Sequence, residues 1–423
     1  MVINNNDLEI VSSSEGSKVI DEGLYKIVIN SFDRVDYSNK ELPVTVTKPK
    51  VTEADLDGLL PKLRGLVFTK MVVSYGDKKW NLDESQLLDL IGFQKGKDGT
   101  TKLLFSNPKF ESFVEVLSQE INELPRGQVT TVDGTKVIDF KIIKEGKELD
   151  DRKFIEDFKL AFLNGEGKVQ APVVPVAGPG DKEKYGIYAL LGEGKSNFSG
   201  SIPGRIHNLT LAAERTNGVL VPPGAIYSMN NSIGDVSAKT GYDLAYVISR
   251  GRTVLGEGGG VCQTSTTLFR AVLNSGLPVV MRYQHAYRVH YYENDSAVGF
   301  DASIFQPSVD FQFKNDTSNY VLVQSSWDLR KNELYFKIFG TPDGRTVEIS
   351  KPIVSNQTPP PQPLYQDDPT SPKGVVKQVD WAAWGANVSF TRIVRLEGDI
   401  YFEDKFISRY QPWQAVYLVG TKQ

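Results

Sequence analysis

Apolar positions recur with two periods along the chain, and the periods divide it into segments. Leu24, Val28 and Phe32, and later Phe154, Phe158 and Phe162, stand four residues apart, which predicts an amphipathic helix in each place. A Glu-Gly pair precedes each helix (Glu15-Gly16; Glu145-Gly146) and an extended stretch follows it (43–46; 172–175). Matching positions lie at a constant offset of 130 residues from Glu15 and Glu145 to Phe32 and Phe162. Strands are predicted ahead of both, at 8–11 and 137–143. The pattern is a duplication whose first copy lacks its front half. Between the copies, Thr52 reads as the N-cap of a helix with an acidic first turn. A strand at 70–75 and helices at 84–91 and 108–120 complete this part.

After the turn-rich Ala177-Gly178-Pro179-Gly180, a second region begins. Ile206, Leu209, Ala212 and Ala213 form a helical stripe over 205–216, closed by Asn217-Gly218. Extended stretches at 242–248 and 253–255 flank a hairpin turn at 249–252. The run Gly258-Gly259-Gly260 then opens into Leu268, Phe269, Val272 and Leu273, a helix with Cys262 in its first turn. Strands are predicted at 279–283, 308–313, 320–325 and 333–339. The proline run 358–363 reads as a stiff spacer before a last stretch of apolar alternation. The fold class predicted is α+β and multi-domain. Its parts are a partial copy at 1–50, a full copy at 51–180, a mixed α/β unit at 185–345 and a small all-β module at 364–423.

Composition narrows the function classes. A chain of 423 residues exceeds one core, and 18 Tyr and 21 Phe against 4 Met favour strands. A net charge of −4 gives no basic field for nucleic acid. A single cysteine excludes an intrachain disulfide and a cysteine-cluster zinc site. No apolar run reaches about 18 residues, the length needed to span a membrane. The polar start at 1–6 is abrupt and implies that a leader or membrane anchor has been removed.

The candidate chemistry gathers around Cys262. A helix start offers free N–H groups and positive potential, which favour a thiolate. With His285 as base and Asp301 orienting it, Cys262 would be a nucleophile. The other reading makes all three ordinary packing residues. His290, five residues after His285, falls on the opposite face of an extended strand. Arg205, His207, Asn230, Gly259, Gly260 and Gln263 are candidate substrate-binding residues. Among them Arg205 suits a carboxylate and Gln263 an oxyanion, although a solvent-facing place in the first turn also fits Gln263. No helical His-x-x-x-His pair occurs, so neither a metal nor a cofactor is called for.

Several of these residues fall in an ordered set: Arg205-Ile206-His207-Asn208, Pro223-Gly224, Tyr227 to Asn230, Gly241-Tyr242, Gly258 to Gln263, Ser265 to Leu268, His285 and Asp301-Ala302. Over about 185–340 this set resembles the VanW family. The duplicated region is similar to the peptidoglycan-binding domain type that commonly precedes it. Gly374, Gly385, Gly398 and the terminal Val419-Gly420-Thr421 resemble a G-five module. The resemblance implies an extracellular or cell-envelope protein linked to vancomycin resistance gene clusters, with peptidoglycan or its stem peptides as partner. It carries no particular reaction. The functions predicted are thiol-dependent acyl transfer or hydrolysis on wall peptides or, alternatively, non-catalytic wall binding or an adhesin or spacer role with a structural Cys262.

Overall fold

The computed structural model describes residues 1–5, 7–33, 38–105, 108–249 and 252–422. Helices and strands are both present, as an α+β chain requires, with only strands after residue 292 among the described residues. Two compact units form: Met1–Glu123 with Lys147–Pro175, and Leu124–Gly146 with Val176–Gln423.

In the first unit the repeated pattern takes the same form twice. Strand Gly16–Val19, helix Asp21–Asp33 and strand Val44–Thr47 correspond to Gly146–Leu149, Asp151–Asn164 and Val173–Val176. In both copies the two strands pair. Asp150 caps the second helix by accepting from the Lys153 N–H, and Gly165 ends it at φ 69°. That helix buries Phe154, Phe158, Ala161 and Phe162. Phe158 meets the rings of Phe105, Phe110 and Phe154 edge-on or tilted. The first helix buries none of its residues, and Phe32 is 74% exposed. The two copies share local signals but not burial.

In the second unit six strands close a barrel. Their order is Lys136–Lys144, Ala189–Asn197, Glu333–Gly340, Val321–Asp328, Val219–Val221 and Arg126–Asp133. The Cys262 helix, Val261–Ser275, lies directly on Ala189–Asn197. Glycine makes that approach possible. A Cβ on Gly194 would stand 2.2 Å from the Thr267 carbonyl oxygen, and one on Gly192 2.4 Å from the Ser275 nitrogen. The helix Pro203–Thr216 packs beside it through Leu209, Ala212 and Ala213. Strands Leu244–Ser249 and Arg252–Glu257 pair antiparallel, while residues 250 and 251 of the predicted turn lie outside the described residues.

Two expectations need correction. The strand after the Cys262 helix runs only over Val279–Met281, because beyond it the chain makes isolated bridges instead of a ladder. The proline run is not a spacer between domains. Strands Thr346–Ile349 and Ile353–Thr358 precede it and pair with Gly385–Leu396, which follows it. The run therefore joins two sheets of one β module. Among the described residues no helix is long and apolar enough to cross a membrane.

Two substitutions test these packing claims by urea unfolding. Gly194→Val should push the Cys262 helix off its strand and cost the second unit about 3 kcal/mol. Phe158→Ala should destabilise the first unit by about 3–5 kcal/mol.

Candidate active site

The helix bearing Cys262 has an unusual inner face. Gln263, Thr264, Ser265, Thr266 and Thr267 are all fully buried. Buried polar groups need partners, and here most of the partners are backbone, with Ser196 Oγ serving Gln263 and Thr267. Ser265 Oγ and Thr266 Oγ1 both donate to the Ala302 carbonyl, at 2.7 and 3.1 Å, and the Ala302 N–H returns a bond to Thr266 Oγ1. The segment that carries Asp301 lacks a continuous strand partner, so the helix hydroxyls fix it in place.

Asp301 is 4% exposed and accepts from four donors. Oδ2 takes the His285 backbone N–H at 2.8 Å and His285 Nδ1 at 2.6 Å. Oδ1 takes Arg282 Nη2 at 3.0 Å and the Tyr410 hydroxyl. Burial pushes this carboxyl up, but His285 and Arg282 outweigh it and hold it well below the ordinary carboxylate range. Arg282 is itself buried and also bonds the Gly299 and Asp301 carbonyls and Ser408 Oγ.

With Nδ1 on Asp301, the other ring nitrogen of His285 has no hydrogen-bond partner of good geometry. The ring and the Cys262 thiol are close enough to shift each other's titration. Burial lowers the affinity of His285 for a proton, yet the bonds to Asp301 and Cys262 raise its pKa to about 9. Burial also pushes the Cys262 thiol up, while the neighbouring His285 brings it below its ordinary value, helped by the charge of Arg205. The half-buried sulfur lies 3.5 Å from the Ile304 carbonyl oxygen. The arrangement favours a thiolate–imidazolium pair over two neutral groups.

The remaining predicted residues divide. Arg205 is half-buried near the thiol, with Nη1 2.7 Å from Ser201 Oγ and its guanidinium stacked 4.0 Å over the Tyr291 ring. His207 is exposed and engages the Gly241 carbonyl at 2.8 Å. Asn230 bonds the Val309 carbonyl, and its backbone N–H bonds Asp310. Gly259 and Gly260 are close-packed turn positions. A Cβ on them would meet Tyr246 O and Arg205 Cγ, each at 2.7 Å. The solvent-facing place for Gln263 is corrected. Its amide Nε2 is spent inward on Ser196 Oγ and the Asn197 carbonyl, and its backbone N–H on Gly260. His290 does not lie on a continued strand. It opens the short 3-10 helix His290–Tyr292, with its ring against Tyr291 and Trp381.

Sequence reasoning missed Arg282, Tyr292 and Tyr410. Tyr292 lies 4.8 Å from the His285 ring, centroid to centroid. Arg282 left one signal, a charge directly after the apolar Val279-Val280-Met281. Tyr410 left none, being 109 residues from Asp301.

The comparisons with known proteins agree with the resemblance. Residues 204–339 match the model for VanW like protein. The uncharacterized protein YoaR of Bacillus subtilis (strain 168) is 30% identical over 221 residues, 51% of this chain and 70% of that protein. This chain belongs to the VanW-like family. The vancomycin B-type resistance protein VanW of Enterococcus faecalis (strain ATCC 700802 / V583) is 32% identical over 114 residues, 27% of this chain and 42% of that protein. Two solved structures also align. The IgA1 protease G5 domain is 16% identical and covers 19% of this chain and 94% of its own, at a TM-score of 0.12. The HP0197-G5 structure is 14% identical and covers 18% and 97%, at 0.10. Scores this low carry no argument about the β module.

The buried pairing in this VanW-like domain has a pH signature. The raised pKa of His285 means that its contribution to stability is full below pH 6.5 and is lost as pH rises through about 9. The depressed Asp301 contributes above its ordinary 3.8 and loses that as pH falls towards its lower folded value. Thermal unfolding against pH should therefore decline on both flanks. Asp301→Asn, which leaves Arg282 buried without its counter-charge, should cost about 3–5 kcal/mol and flatten the alkaline flank.

Proposed function

We propose that this protein acts in the cell envelope as a thiol-dependent acyl-transfer enzyme on the peptides of the wall. The observation that carries the reading is a half-buried sulfur in the first turn of a helix, beside an imidazole whose far nitrogen is held by a buried carboxylate. Nucleophile, base and orienting acid in that relation are what acyl chemistry uses. The Cys262 thiolate attacks an amide carbonyl. A C–S bond forms, and the C–N bond breaks as the imidazolium proton passes to the leaving amine. Water or a second amine then attacks the thioester and gives its proton to His285, and the C–S bond breaks to return the Cys262 thiolate beside the imidazolium. Arg205 is assigned a carboxylate of the substrate.

The choice of wall peptides rests on the family. Its enterococcal relative is named a vancomycin B-type resistance protein.

Incubation of the full chain with purified muropeptides, followed by mass spectrometry, tests substrate and bond together. Hydrolysed or cross-linked products are expected from the wild type and none from Cys262→Ala. If the two proteins give the same profile while both still bind sacculi, the protein is a wall-binding protein with a structural cysteine.

A further inference from the structure

The C-terminal β module reaches the site through one strand. Asp399–Tyr410 ends at Tyr410, whose hydroxyl donates to Asp301 Oδ1. Two residues earlier and on the same face, Ser408 Oγ accepts from Arg282 Nη1 at 2.9 Å. The contact continues on the far side of His285. The Gln411 N–H donates to the Ala286 carbonyl at 2.8 Å, and Tyr287 stacks on Trp413 at 4.4 Å. Both of those rings also bond Asp380 Oδ2. Module residues thus support Asp301, Arg282 and the backbone next to His285.

We propose that Tyr410 is a positioning residue of the Cys262 site, supplied by the β module, so that the module is a working part of the site. The inference rests on the thiol reading above. A carboxylate can turn about its own bond. Arg282 and Tyr410 together hold Oδ1, and this fixes Oδ2 towards His285 Nδ1. Burial and the charge of Asp301 raise the phenol's pKa, so it remains a donor across the working range.

Without that hydroxyl, Arg282 alone holds Oδ1, and the carboxylate has only the His285 backbone N–H and Nδ1 on its other oxygen to resist turning. The contact with Nδ1 loosens, the imidazolium loses support and the thiol becomes less acidic. Charge alone predicts the reverse, since a carboxylate with one donor fewer is more basic and favours the imidazolium. The sign of the change therefore separates positioning from simple electrostatics. The other groups facing the site are Arg205 and Tyr292 at the thiol, Tyr292 at the imidazole, and Arg282 and Arg270 at the carboxylate. Tyr410→Phe leaves all of them in place.

The test is the rate of iodoacetamide alkylation of the chain's single cysteine against pH, on the full chain. In Tyr410→Phe the midpoint should rise by about one pH unit, with muropeptide turnover at neutral pH down about tenfold. Trp413→Phe disturbs the same contact without touching Asp301, and its midpoint should stay with the wild type. An unmoved or lowered midpoint in Tyr410→Phe overturns the proposal. So does an equal rise in Trp413→Phe, because general loosening is then the cause. A wild-type midpoint in the ordinary cysteine range instead overturns the thiol reading. A depressed wild-type midpoint that Tyr410→Phe leaves in place overturns only the role of Tyr410.

Discussion

The carboxylate of Asp301 is the group on which the architecture of the second unit turns. A negative charge taken out of water is tolerated only where donors surround it. Here the donors come from a backbone N–H, an imidazole, a guanidinium and a phenol. No single stretch of chain holds all four. The stretch 282–285 and the strand Asp399–Tyr410 must both be in place before the charge is satisfied. Its satisfaction in turn fixes the imidazole and, through it, the acidity of the thiol.

The Cys262 helix does two kinds of work. Its apolar residues Leu268, Phe269 and Val272 belong to the main core, as their spacing predicts. Its polar run is equally buried, with hydroxyls that serve the irregular chain around Ala302. The glycines of the facing strand let this helix lie directly on its backbone. Close approach and hydroxyl bonding together hold the loop of Asp301 rigidly without giving it a strand.

Much of the fold was legible from periodicity. The helices of the duplication, the helix Pro203–Thr216 and the Cys262 helix all lie where apolar spacing predicts them. Cys262 stands out as the one cysteine, set directly after a glycine run, and His285 and Asp301 by their order after it and by the family resemblance. Failures arose where long-range contact overrides local pattern. Gln263 reads as a solvated first-turn residue because polarity normally marks a surface; only the neighbouring strand, with Ser196 and Asn197, makes it a core residue. The proline run reads as a linker because proline is extended, and nothing local shows that strands on both sides pair with Gly385–Leu396. His290 was assigned by strand alternation, which fails once the ladder ends at Met281.

The distance in sequence between Asp301 and Tyr410 has a consequence for the making of the molecule. Synthesis runs from the N-terminus, and domains tend to fold as they emerge. Sulfur, imidazole and carboxyl group all leave the ribosome long before the phenol that completes the cradle. Until the last strands arrive, the acid has an open side and nothing from the module to stop it turning. A nascent or clipped chain that lacks the strand Asp399–Tyr410 would carry the sulfur, the imidazole and the carboxyl group without the phenol that the fold sets against Asp301.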